Sequence, residues 1–203
     1  MRAMETSGGV YVAPSGDRLT YHFLVAVDIE GFSTLSAAQQ KRIQADLHTV
    51  LENAAEAAGL DRNSWLRQVG GDGELAILPS ETDGLRLLVA YPRALAMALA
   101  RVNRRRARRL RLRLSMHHGP LSDGVFGAVG RAPIVVSRLV DADVLRQELR
   151  DRPRLDLVLI MSGSLYSDVV ETEFGGLDPS EFHRVDVHAK GVTYPAYIHR
   201  AVR

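Results

Sequence analysis

The sequence predicts an α+β protein: one mostly antiparallel sheet, in βαββαβ order, with helices packed on it. Three observations carry this. FLVAVDI (Phe23–Ile29) is a continuous apolar run of strand length. Leu110, Leu112, Leu114 and Met116 alternate with Arg111, Arg113 and Ser115 at the strand period. Between these segments lie two stretches with apolar residues at helical spacing and a glycine-rich hairpin signal.

Taken in order, residues 1–19 are punctuated by Gly, Ser and Pro and read as a loose segment, leaving 20–203 as a single domain. Phe23–Ile29 reads as a buried strand ending in an acid. Ser36 suits a helix cap, and Ile43, Leu47, Val50, Leu51 and Ala54 form one face of a helix over Ala37–Ala58, stopped by Gly59. Trp65–Val69 and Leu75–Leu78 flank Gly70-Gly71-Asp72-Gly73, a hairpin tip. A second helix is expected over Leu85–Ala107, with Pro92 kinking or restarting it. The Leu110–Met116 strand is expected to be half buried, followed by a tight turn or short hairpin over His118–Gly130. Then come a helix over Ile134–Leu149, a buried strand over Leu155–Met161, a short helix over Gly163–Val170, and strands Phe182–Val187 and Tyr194–His199.

Composition excludes several classes. There is no cysteine, which removes disulfides, thiolate metal sites and cysteine catalysis. No apolar run approaches membrane-span length and the start carries no apolar signal core, so a cytoplasmic protein without membrane contact is expected. Of the 26 basic residues, 24 are arginine, and eight of these lie between Arg101 and Arg113. Outside that stripe the balance is 18 basic against 24 acidic. The stripe lacks interleaved aromatics and joins a helix end to a strand. It therefore reads as a solvated face before an acidic-partner surface, and nucleic acid is not expected.

Two acids sit where loops leave strands: Asp28 at the end of FLVAVD, and Asp72 in the hairpin tip. A lone aspartate there is ordinarily a cap or turn residue. Two on neighbouring strands, each with its own glycines, suit a divalent ion that takes one or two carboxylates plus substrate phosphates. Gly31, Gly70, Gly71 and Gly73 would let backbone approach a phosphate closely.

VAVDIEGFSTLS, QVGGDGELAILP, LRLRLSMHHGPLSDGVFGAVG, SRLVDA, LIMSGSLYSDV and VHAKGV resemble, in order, the motifs of class III nucleotidyl cyclases. The GGDG tip also resembles diguanylate cyclases, but Gly73 and Leu75 depart from their motif, and the HHGP and SRL segments favour class III. The resemblance implies a ferredoxin-like, palm-type βαββαβ core of the class III cyclase catalytic type. It implies metal binding (Mg²⁺ or Mn²⁺) by Asp28, Asp72 and the Ile29 carbonyl, with Gly31, Phe32 and Ser33 amides on phosphates. Gln68 and Gly71 fall at nucleotide-binding positions, Arg138 matches the transition-state arginine, and Lys190 the phosphate-contacting lysine.

Three departures stand out. Ile134 occupies the position of the family asparagine, and a missing donor of that kind costs roughly 10²–10³ in rate. Gln68 replaces the lysine that selects adenine. The arm between the Gly-x-x-Gly turn and the arginine helix is cut short, deleting a base-selecting residue and part of the surface on which family members pair head to tail. The resemblance therefore implies a degenerate domain that binds a nucleotide-like ligand or a protein partner in a signalling role and cyclises poorly. An active, atypical cyclase, a pairing with a second cyclase-like chain, and a scaffold without nucleotide are the alternatives. His117 and His118 read as structural. His183, His188 and His199 lack ligand spacing, Ser162 and Ser164 lack a hydrolase elbow, and Trp65 reads as packing.

Overall fold

The structure is a computed structural model that describes residues 18–125, 127–199 and 202. The loose segment expected over 1–19 falls outside them except for Arg18 and Leu19, which lead into the first strand without regular structure.

The first half is the expected βαββαβ unit. β1 (Thr20–Ile29), α1 (Ala37–Ala57), β2 (Leu66–Val69), β3 (Gly73–Ile77), α2 (Tyr91–Asn103) and β4 (Leu112–Gly124) follow in that order. After it come β5 (Gly127–Val129), α3 (Ala132–Val140), α4 (Asp143–Asp151), β6 (Leu157–Ser162), α5 (Gly163–Val169), β7 (Phe182–Ala189) and β8 (Val192–His199). One sheet results, in the order β2-β3-β1-β4-β6-β8-β7, with β5 hairpinned onto β4. Its pairs are antiparallel except β4 with β6.

The apolar run of β1 is explained by cover on both faces. Val25, Val27 and Ile29 join the core under α1 and α2, whereas Leu24 and Ala26 pack with Ala132, Val136 and Val140 of α3. Helix α1 starts where its cap requires: Ser36 accepts from the Gln39 N–H, and the Gln39 side chain accepts from the Ser36 N–H, a box that stabilises by about 1 kcal/mol. Gly59, at φ 68, ends it.

Three expectations are corrected. The segment read as a helix over Leu85–Ala107 is a π-helical turn, Arg86–Ala90, that passes with helical dihedrals into α2, so the restart expected at Pro92 takes the form of a change of helical register just before it; its end, however, is corrected. It stops at Asn103, because the Asn103 amide leaves the helix register. Its Nδ2 donates to the Leu110 carbonyl (2.9 Å) and its Oδ1 accepts from the Leu110 N–H (2.7 Å), closing the loop between them. The Ile134–Leu149 helix is two, broken at Asp141–Ala142, where extended Ala142 starts α4 and turns the chain toward β6. Strand β4 is not half exposed. Arg113 and Ser115 are buried on its second face because α3 lies across it, and Ser115 Oγ donates to the Val136 carbonyl (2.8 Å). The strand also runs on through His118-Gly119-Pro120 to Gly124 before turning into β5.

Among the described residues no helix is long and apolar enough to cross a membrane.

The β1–β3 register sets Gly73 opposite Asp28. A Cβ on Gly73 would lie 2.0 Å from the Val27 carbonyl oxygen, so strand pairing itself forbids a side chain there. Gly73→Ala should destabilise the fold by about 2–3 kcal/mol, read as a lower urea midpoint. An unchanged midpoint would mean that β1 and β3 are not paired in this register.

Candidate functional site

Side chains alternate along β1, so Asp28 shares the α3 face with Leu24 and Ala26. Those two are covered by α3. Asp28 lies where that cover ends, in a groove of about 510 Å³ with Ser137, Val140 and Asp141 of the departing helix on one side and Gln68, Asp72 and Glu74 of the hairpin on the other. Asp28 and Asp72, the two acids singled out from the sequence, thus line the same groove.

The hairpin tip is held by backbone. The Ile29 N–H donates to the Asp72 carbonyl (2.8 Å), and the Gly70 N–H donates to that of Gly73 (2.8 Å). Gln44 of α1 donates to the Gly71 carbonyl (2.7 Å). Gly71 sits against Phe32, which a Cβ would touch at 3.6 Å. Asp72 is exposed, and its carboxylate has no hydrogen-bond partner among the described residues.

After β1, Gly31 takes a left-handed conformation (φ 67) and opens a single 3₁₀ turn, Phe32–Thr34. The Thr34 and Leu35 N–H groups are used inside this turn. Those of Phe32 and Ser33 have no backbone acceptor among the described residues. Two successive amides left without a backbone acceptor can accept an anion.

Sequence reasoning did not place Arg113. It lies directly across from Asp28 on β4, and its Nη2 pairs with Asp28 Oδ2. Both side chains are largely buried. Burial, with Arg146 nearby, pulls the guanidinium down to about 10, still charged at neutral pH. The alternation on β4 contains the signal for this contact, but only the register reveals its partner. Arg108 was also missed: its Nη2 donates to Thr34 Oγ1 (3.3 Å) and reaches the Gly31 carbonyl (3.5 Å).

The remaining candidates are not brought to this groove. Ser137 and Asp141 face it, whereas Arg138, a quarter turn away on α3, does not line it. Ile134 is exposed on the same helix. Lys190 is exposed in the β7–β8 turn (φ 49). Strand register puts that turn at the end of the sheet opposite Asp28, four strands across.

A second polar cluster lies beyond the N-terminal end of α3. His117 Nδ1 and Ser162 Oγ share a hydrogen bond (2.7 Å), Ser164 lies 3.2 Å from Ser162, and all three line a groove of about 430 Å³. Ser162 also caps α5 by accepting from the Leu165 N–H. Among the described residues no acid pairs with His117, so this is a neutral, structural contact.

No family model matches the chain, and no curated protein matches its sequence. Solved structures do match. The guanylyl cyclase Cya2 superposes at TM-score 0.63 and 17% identity, over 91% of this chain and 92% of that one. The adenylyl cyclase CyaB from P. aeruginosa gives 0.60 and 16%, over 92% and 97%. An adenylate/guanylate cyclase/hydrolase from Silicibacter pomeroyi gives 0.63 and 13%, over 90% and 98%. The chain has the fold of a class III nucleotidyl cyclase domain, as its motifs led one to expect.

Burial lowers His117 to about 4 from 6.5, with His118 adding to the shift. The unfolded chain thus takes up this proton first as pH falls. The stability it confers is complete above about 6.5 and drains toward pH 4. The loss should amount to about 1–3 kcal/mol. Urea midpoints taken across that window should fall less steeply for His117→Gln than for the parent chain; parallel slopes would refute the assignment.

Proposed function

We propose that this cyclase-like domain binds a nucleotide-like ligand through its phosphates together with a divalent ion, and that one chain alone does not cyclise it efficiently. The observation that carries the reading is a division of the family's residues. Asp28, Gln68 and Asp72 line one groove at the end of β1, and Ile29 and the Phe32 and Ser33 amides, which have no backbone acceptor among the described residues, follow Asp28 directly in the chain. Arg138 and Lys190 stand outside that groove, and Ile134 offers no hydrogen bond.

The donor chemistry fits a hard cation. Two carboxylates and the Ile29 carbonyl are too few for an all-protein cage, and the described residues contain no cluster of three or more acidic or histidine ligands. Mg²⁺ binds in just this way, through one or two carboxylates with phosphate oxygens completing its shell, and Mn²⁺ would be accepted by the same donors. When bound, such an ion neutralises phosphate charge. The chain's own contribution is to orient. Asp28 and Asp72 would hold the ion, the Phe32 and Ser33 amides would hold phosphate oxygens, and Gln68, able to donate and accept, would meet the base without selecting adenine.

Arg113 sets the conditions. With its guanidinium paired to Asp28, an incoming cation must share or displace it. That competition favours an ion arriving with phosphates, whose negative charge compensates the arginine. Metal alone should therefore bind weakly and metal with nucleotide tightly. A regulatory or signalling role follows from binding without efficient turnover. A second cyclase-like chain that brings an asparagine, an arginine and a lysine to this groove is the arrangement in which turnover would be restored.

Calorimetry with each of the four nucleoside triphosphates and Mg²⁺ or Mn²⁺ should show saturable binding. It should weaken about tenfold or more in Asp72→Ala, which removes one of two charged ligands. Chromatography of the same mixtures should show no cyclic product. A cyclic nucleotide lost on Asp72→Ala would make the chain an active, atypical cyclase. No heat with any triphosphate would leave an interaction scaffold.

A further inference from the structure

The arginine stripe splits into two groups with different surroundings. Arg109, Arg111 and Arg113 are built into the fold. Arg109 pairs with Asp156 (2.7 Å) and donates to the Pro153 and Arg154 carbonyls. Arg111 pairs with Glu30 (2.7 Å) and donates to the carbonyls of Arg152 and Leu155. Arg109 and Arg111 join the start of β4 to the segment after α4, and Arg113 pairs with Asp28. The solvated face expected from sequence does not describe Arg111 and Arg113, which are largely buried.

The other group does something else. Arg101 on α2, Arg104, Arg105, Arg106 and Arg108 in the following loop, and Arg42 on α1 all line one concave groove of about 840 Å³. Among the described residues the one acid on its wall is Asp46, already paired with Arg106. The guanidinium groups of Arg42, Arg101, Arg104 and Arg105 have no hydrogen bond or ion pair among the described residues. They are not on a free tail, because the two Asn103–Leu110 hydrogen bonds close the loop that carries them. Only part of this concentration is explained by the negative end of α2, which accommodates a cation or two in its last turn. Several unpaired guanidinium groups in one hollow repel one another, and an anion relieves that repulsion.

Guanidinium forks match phosphate oxygens in pairs. A single phosphate would leave most of this groove and most of its arginines unused. A chain of linked phosphates would engage them together. Nucleic acid fits less well: among the described residues no aromatic side chain lines the groove to stack a base. We propose that the groove between α1 and the loop after α2 is a binding site for a linear polyphosphate of about three or more phosphoryl groups. The ligand is either an inorganic chain or the tail of a nucleoside polyphosphate. The site is separate from the Asp28–Asp72 groove and stands without the nucleotide reading. The two share a wall through Arg108, which lines the first and holds the Gly31–Thr34 turn beside the second.

The test is calorimetry on the full chain at about 0.15 M salt with a chelator present, so that only phosphate chemistry is read. The titrants are sodium tripolyphosphate, orthophosphate, adenosine 5′-tetraphosphate and a single-stranded RNA oligonucleotide. Tripolyphosphate should bind one site per chain, about tenfold or more tighter than orthophosphate. Equal binding of the tetraphosphate assigns the inorganic chain as sufficient, and tighter binding assigns the nucleotide. Arg104→Ser with Arg105→Ser should weaken tripolyphosphate about tenfold, and Arg42→Ser should weaken it from the facing helix. These arginines are exposed, so the variants should keep the parent's urea midpoint, which is measured alongside. Absence of saturable tripolyphosphate binding overturns the proposal. So does unchanged affinity in the arginine variants, or RNA binding tighter than tripolyphosphate.

Discussion

The candidate site depends on one backbone junction, the end of β1 against the tip of the β2–β3 hairpin. The Ile29 N–H reaches past the last strand pair to the Asp72 carbonyl, and Gly73 admits the Val27 carbonyl where any Cβ would collide with it. These contacts bring the Asp72 backbone against the end of β1, beside Asp28. The Gln44 amide then ties the tip to α1, and Phe32 packs against Gly71, linking the turn after β1 to the hairpin. Carboxylates placed by backbone are pre-positioned. No loop has to be ordered for them to meet a ligand, and that saves the entropy such ordering would cost.

Charge sits on this frame unevenly. Asp28 and Arg113 form a largely buried pair, and removing either partner would strand the other in a poor dielectric. Asp72 faces solvent. The groove is therefore asymmetric, with one carboxylate committed and one open, and Asp141 lines it close by. The arginines behind it extend the pattern. Those at the start of β4 are consumed by carbonyls and acids, whereas those in the loop before it remain available around a hollow. A run of arginine in sequence thus contains two physical populations, sorted by where α2 ends.

Much of the fold was legible because period and punctuation agreed. The β1 run, the Ser36 box, the glycine tip and Pro92 each had a local cause, and the structure supplies the same cause. The misreadings arose where tertiary contacts override local pattern. Nothing in RVNRRRARR announces that Asn103 will leave its helix for Leu110. The apolar face of Ile134–Leu149 runs smoothly across a break that exists because the chain must pass from β1 to β6. The pairing of Asp28 with Arg113 requires knowledge of register, which alternation alone does not contain. The meeting of Asp28 with Asp72 was legible because both lie at strand ends joined by a simple topology. The distance of Lys190 from them was not, because it depends on the order of five strands.

The motif residues do not all speak equally for function. Gly73 is required by strand pairing, and Asp28 by the arginine it neutralises, so a scaffold that had never met a nucleotide would still need both. Ile134 is exposed, and an asparagine could stand there without disturbing the core. Its apolar side chain is not an adaptation of packing. Asp72 is the informative residue. It projects into solvent from a tip closed entirely by backbone hydrogen bonds and the Gln44 amide, with no partner for its carboxylate among the described residues. An asparagine, serine or glycine would serve the turn as well. An exposed aspartate is ordinary in such a turn; what distinguishes this one is that its unpartnered carboxylate lines the same groove as Asp28, where it is open to a cation. The case for a ligand at this end of the sheet rests on that one side chain more than on the length of the motif list.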